Sequence, residues 1–159
     1  MRSETGSILK ESVVNKEVRQ EGLEYCYNNS ELYCIIIRSG FNNESVAFFT
    51  PDNFSQQIGY LPHKKNAIIK PHVHLHSKRE VYYTQEVLFI KEGKVKVNFY
   101  DLDEKYLFSE IIMKGDFILL CGGGHGFEII EDTRMIEIKQ GPFLGEDDKR
   151  RFEGIEQSG

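Results

Sequence analysis

The chain has 159 residues, 40% of them hydrophobic and 28% charged, which is enough for one core and too little for two. Its formal net charge of -5, with Lys and Arg scattered along the chain, argues against a nucleic-acid surface or a basic membrane patch. No apolar run approaches the length of a membrane span, so a small molecule is the expected partner, with no nucleic acid and no membrane.

The chain reads as a short N-terminal extension (residues 1–30), a single β domain (31–143) and a charged tail (144–159). Residues 1–7 carry no apolar segment behind Arg2, so no secretory signal is read there and the cytoplasm is the expected location. Residues 7–20 fit a short helix or an edge strand, because Val13, Val14 and Val18 match both periods imperfectly.

From residue 32 onward, β-branched and aromatic runs alternate with turn residues, the signature of an antiparallel all-β fold. Strands are predicted over residues 32–38, over 46–50 before Pro51-Asp52-Asn53, over 57–62, and over 67–76 after a Lys65-Asn66 turn. The run 32–38 holds Ile35, Ile36 and Ile37, apolar on both faces; as an edge strand it would need a second cover, and a homodimer is expected. A strand over 86–90 is predicted to stop at Glu92-Gly93, and residues 94–99 alternate polar and apolar. A loop over 101–105 leads to a strand over 106–113, and Lys114-Gly115-Asp116 turns into the apolar strand 117–120. A glycine-rich loop, Gly122 to Gly126, precedes strands over 127–130 and 134–139. The tail over 145–151 is charged and expected to face solvent, and the last residues are expected to be disordered.

Cys26, Cys34 and Cys121 are odd in number and far apart in sequence, and no C-x-x-C occurs, which fits reduced thiols rather than a disulfide framework or a cysteine metal site. Cys121 reads as a small buried hydrophobe, since no base is adjacent in sequence. His63, beside Lys64 and Lys65, reads as a solvated turn residue.

Three of the five histidines stand at His72, His74 and His76. Residues i, i+2 and i+4 of a strand share a face, so a strand there would present a row of imidazoles, two of which could chelate one ion. His125 sits among glycines that let the backbone turn sharply. Glu86 opens a strand whose face it shares with Leu88 and Ile90, where a carboxylate is costly unless it is paired or bound to metal. Three histidines and one carboxylate form a nitrogen and oxygen site suited to a divalent transition metal, Fe, Mn, Ni, Zn or Cu without distinction.

These residues resemble the cupin superfamily. Its first motif runs from a glycine through His-x-His to a glutamate and, six residues later, a second glycine; Glu86 and Gly93 keep that last spacing, and Asn66 stands where the leading glycine would be relative to His72-Val73-His74. Gly115 followed by Cys121-Gly122-Gly123 resembles the start of the second motif, which ends on a histidine. The resemblance implies a double-stranded β-helix, or jelly-roll barrel, with a metal in its mouth held by His72, His74, Glu86 and His125, often in a dimer. The chain departs from the pattern in the long stretch between His74 and Glu86, in Cys121 where proline is usual, and in the spacing from Gly123 to His125. A shifted register would use His76 and Glu80 instead. The inserted loop over residues 75–85 is expected to fold over the mouth as a lid, with Arg79 holding an anionic group of the substrate and Tyr83 or Tyr82 stacking on a sugar or base. The resemblance implies a metal-dependent enzyme on a small polar substrate, by isomerisation or epimerisation of a sugar or sugar nucleotide or by oxygenation; the alternative is a non-catalytic binding module.

Overall fold

A computed structural model describes residues 12–156; residues 1–11 and 157–159 lie outside the described residues, and with them the first part of the 7–20 reading and the end of the tail. The described chain is all-β and antiparallel, in nine strands: β1 (Val14–Gln20), β2 (Leu23–Asn28), β3 (Glu31–Ile37), β4 (Ala47–Phe48), β5 (Gly59–Tyr60), β6 (Glu86–Tyr100), β7 (Tyr106–Met113), β8 (Phe117–Leu120) and β9 (Gly124–Lys139). One short 3-10 turn, Gly145–Asp148, follows. Among the described residues no helix is long and apolar enough to cross a membrane.

Seven strands form one sheet in the order β1-β2-β3-β8-β6-β7, with β9 also paired to β6; β4 and β5 form a separate short ladder. Residues 14–28, read from sequence as part of an extension, are therefore two strands of the main sheet, and the edge-strand option for residues 14–20 is the one realised. The run of three isoleucines lies inside the sheet, between β2 and β8, and Ile35 and Ile36 are fully buried. The premise that it forms an exposed edge is corrected: apolar groups on both faces are covered by the chain itself.

The strand predicted to end at Gly93 continues. β6 runs through it with shifts in its pairing to β9 on either side, a bulge that bends the strand without stopping it. Gly93 adopts φ +87, and a Cβ there would run into the carbonyl oxygen of Asp132 on β9, so only glycine fits the bend. The same bend joins the two strands expected over 127–130 and 134–139 into β9. Inward-facing positions of β6 change parity across it, from Leu88 and Ile90 to Val95, Val97 and Phe99, and all five share one buried cluster with Tyr33, Cys34, Ile36, Ile112 and Ile118. The long β6–β9 ribbon is thus folded on itself around a common core. A second cluster, with Leu23, Tyr25, Ile35, Phe41, Phe49, Val87 and Leu119, covers the opposite face of the sheet.

Charged groups tie β1, β2 and β3 to β7. Arg38 binds Glu24 at 2.8 Å and Asp116 at 3.1 Å, and Lys16 reaches Glu110 at 2.9 Å. Burial pushes the Glu24 carboxyl up, but hydrogen bonds from Arg38 and Lys16 outweigh it and hold the group below its ordinary value. Cys26 and Cys34 face each other across β2 and β3 as free thiols, and burial pushes the Cys34 thiol well up. Cys121 is likewise raised by burial, to about 12, which makes it unreactive.

Candidate metal centre

Glu86 opens β6, opposite Leu120 on β8 and Lys139 on β9. His125 lies near the start of β9, opposite Phe99, so the glycine-rich loop expected there is already strand from Gly124 onward. Gly123, at φ +65 and too close to the Tyr33 ring for a Cβ, provides the turn that delivers it. In a straight strand at roughly 3.3 Å per residue, Glu86 and Phe99 would stand about 43 Å apart. The fold-back at Gly93 removes that distance, and His125 Nε2 comes to 3.1 Å from Glu86 Oε2. Both side chains share the inner side of the ribbon with Leu88, Val97 and Phe99, and both are mostly shielded, with 27% and 13% exposure.

The short contact assigns the proton to Nε2, donating to the carboxylate. This hydrogen bond is the main cause holding the Glu86 carboxyl below its ordinary value; burial opposes it, and the charges of His125, Lys139 and Lys149 add to it. Lys139 Nζ is 3.8 Å from Glu86 Oε1 and 3.7 Å from Asp148. A cavity of about 500 Å³ adjoins the pair, bounded by Glu137, Tyr100, Lys149 and Phe152.

Sequence reasoning did not foresee this second wall. Lys149, Arg150 and Arg151 of the charged tail are exposed as expected, but the residues that follow turn back: Phe152 meets the Tyr100 ring edge-on at 5.1 Å, and Tyr100 donates a hydrogen bond of 2.8 Å to Glu156. Lys139 stands at the end of a predicted strand, but its place beside Glu86 depends on register between strands far apart in sequence.

Residues 67–76 do not form the predicted strand. They belong to an irregular stretch over 61–84 without a ladder partner, and every residue from 63 to 84 is exposed. The turn before it is as expected, with Asn66 left-handed at φ 69. The His72 and His74 rings meet edge-on at 5.3 Å, and His72 Nδ1 bonds the Lys70 carbonyl at 3.0 Å. The structure brings Glu86 and His125 together and does not add His72, His74 or His76 to them; among the described residues no three His, Cys, Asp or Glu side chains gather closely enough for a metal ion. Comparisons with known proteins find no match to any family model, curated protein or solved structure.

The expected lid takes a different place. Glu80 pairs with Lys78 at 3.0 Å and accepts from Tyr82, Arg79 donates to the Ser77 carbonyl at 3.5 Å, and Tyr82 and Tyr83 line a cavity with Tyr27, Leu32 and Cys121. Those last three pack on the second core cluster, on the face of the sheet opposite to Glu86 and His125.

Proposed function

We propose that the chain is a small jelly-roll protein of the cupin type that binds one divalent transition metal through Glu86 and His125, with His72 and His74 completing the ligands. The observation that carries this reading is the 3.1 Å meeting of Glu86 and His125, two donors 39 residues apart that only the folded ribbon unites. The donor set fits: a carboxylate kept ionised and an imidazole, both shielded and both bordering a cavity, suit a borderline divalent ion. β9 pairs only with β6 among the described strands, so its other edge is open to a further strand, and the unpaired 67–76 stretch carries its histidines in strand alternation. Pairing of the two would close the barrel.

Such an ion would polarise an oxygen of a small polar substrate, such as a sugar or sugar nucleotide, or bind dioxygen. Without metal Glu86 orients the His125 ring by accepting from Nε2, a proton that a bound ion would displace, while Lys139 offsets the charge of Glu86 and the Lys149 ammonium borders the cavity. A proton-bearing group there favours an enzyme over a non-catalytic binding module. A homodimer belongs to the same reading, joined through Phe117, Ile136 and Ile138, which are exposed on the outer sheet face; a sedimenting species of only 18.5 kDa contradicts it.

Tag-free protein titrated with Mn²⁺ and followed by electron paramagnetic resonance is expected to bind about one ion per chain, through deprotonated ligands. His125→Ala and Glu86→Gln are expected to abolish binding and His74→Ala to weaken it at least about tenfold, whereas His76→Ala leaves it intact. Binding unchanged in His125→Ala defeats the reading, and loss in His76→Ala and Glu80→Gln instead selects the shifted register.

A further inference from the structure

The cavity on the opposite face belongs to no part of the metal reading. It measures about 540 Å³, within the range of small-ligand sites. Its floor is Gln85, 6% exposed, with Tyr27 and Leu32 of the sheet; one wall is the loop with Asn53 and Phe54, and the other is Glu80 to Tyr83. Three features define what it can take.

Aromatic rings dominate the rim. Tyr82 and Tyr83 are 82% and 81% exposed, and Phe54 and Tyr27 complete the set. Rings so exposed lose little by turning onto a flat apolar face, such as the C–H face of a pyranose. The polar groups between the rings are hydroxyls, amides and carboxylates, including Ser30, Ser55, Asn53 and Glu31, and no Lys, Arg or His lines the cavity. An anionic ligand would meet no counter-charge. Finally, the side-chain oxygen of Gln85 is buried without a hydrogen-bond partner, a state that native proteins usually relieve with water or a ligand donor. An acceptor beside aromatic platforms matches a neutral molecule that carries many hydroxyl donors.

A small cation is the nearest competitor, since Glu31 and Glu80 are on the wall. Glu80, however, is already neutralised by Lys78 at 3.0 Å and by the Tyr82 hydroxyl.

We infer that this outer-face cavity is a binding site for a neutral saccharide, stacked on Tyr82 and Tyr83 and hydrogen-bonded to the polar floor around Gln85. The site is independent of Glu86, His125 and any metal.

The test is saturation-transfer NMR on the full chain with glucose, galactose, N-acetylglucosamine, maltose and cellobiose, with choline and glucose 6-phosphate as cationic and anionic probes. Transfer to the pyranose ring protons of at least one neutral sugar is expected, with affinity falling at least about tenfold, or 1.4 kcal/mol, in the Tyr82→Ala/Tyr83→Ala variant. Both tyrosines are exposed, so that variant keeps the fold, and an unchanged far-UV spectrum checks it. His125→Ala is expected to leave sugar binding intact, which separates this site from the metal reading. No transfer to any neutral sugar, transfer unchanged in the double variant, or a preference for choline or glucose 6-phosphate overturns the inference.

Discussion

The β6 half of the folded β6–β9 ribbon and the stretch over 61–84 both carry apolar and aromatic residues, yet many of these end in opposite states. In the ribbon, Val95, Val97 and Phe99 are at most 1% exposed. In the stretch, Ile68, Val73 and Leu75 are exposed by 87%, 83% and 83%. The presence of apolar residues does not by itself separate them; a ladder partner does. Every residue of a strand needs a neighbour for its backbone groups before its side chains can share a face. The ribbon supplies its own neighbour, whereas the stretch has none among the described strands. Glu86 and His125 on the ribbon are therefore brought together by the fold, whereas in the proposed site His72 and His74 would join them only by docking of the stretch.

This comparison predicts a steep gradient in mutational cost. Phe99, fully buried and stacked on Phe108 at 4.5 Å, should lose about 3–5 kcal/mol when replaced by alanine, measured by urea denaturation. Leu75→Ala should change stability by less than about 0.5 kcal/mol in metal-free protein. Comparable losses at the two positions would show that the stretch is already packed.

The next effect concerns the charged ties of the sheet. Asp116, 1% exposed, accepts hydrogen bonds from the Ser39 and Met113 backbone and from Arg38, so Asp116→Ala should cost about 2–3 kcal/mol by leaving two amides without their acceptor, while Arg38 keeps Glu24. A loss under about 1 kcal/mol would mean that water replaces the acid there.

A smaller effect should appear with pH. Glu24 has a folded-state affinity for protons below its unfolded one, so it contributes stability above the ordinary carboxylate range, and that contribution disappears as pH falls through the lowered folded value. Urea midpoints taken from pH 7 down to pH 3 should fall less steeply in Glu24→Gln than in the parent chain; parallel curves would remove Glu24 from the linkage. The smallest cost to the fold should come from cutting the stretch itself. Trypsin is expected to cleave first after Lys64, Lys65, Lys78 or Arg79, all exposed, leaving a fragment pair that still melts cooperatively. First cuts within β6 or β9 would reverse the comparison.

The same contrast explains what could be read from the chain. The bounds of β7 and β8 follow from their flanking turns, Asp101 to Lys105 and Lys114-Gly115, because local turn chemistry determines where a strand ends. Gly93 misled for the same reason: a glycine after a strand signals a stop, and its actual use as a bend is visible only once Asp132 crowds it from β9. Glu86 was legible as a costly acid on an apolar face, and His125 as a histidine among glycines. Their contact, the approach of Lys139 and the return of Phe152 are products of register and chain reversal, which no local pattern encodes. The row His72, His74, His76 has the right alternation, but alternation makes a common face only when a neighbouring strand is present.

In the proposed function, metal held by Glu86 and His125 would draw residues 67–76 onto the edge of β9 that no described strand pairs. Amide hydrogen exchange of those residues, followed by mass spectrometry with and without saturating Mn²⁺, tests it most directly. Exchange is expected to be rapid in metal-free protein and to slow markedly over 67–76 and along β9 when metal is bound. Exchange over 67–76 that stays equally rapid at saturating Mn²⁺ would contradict it.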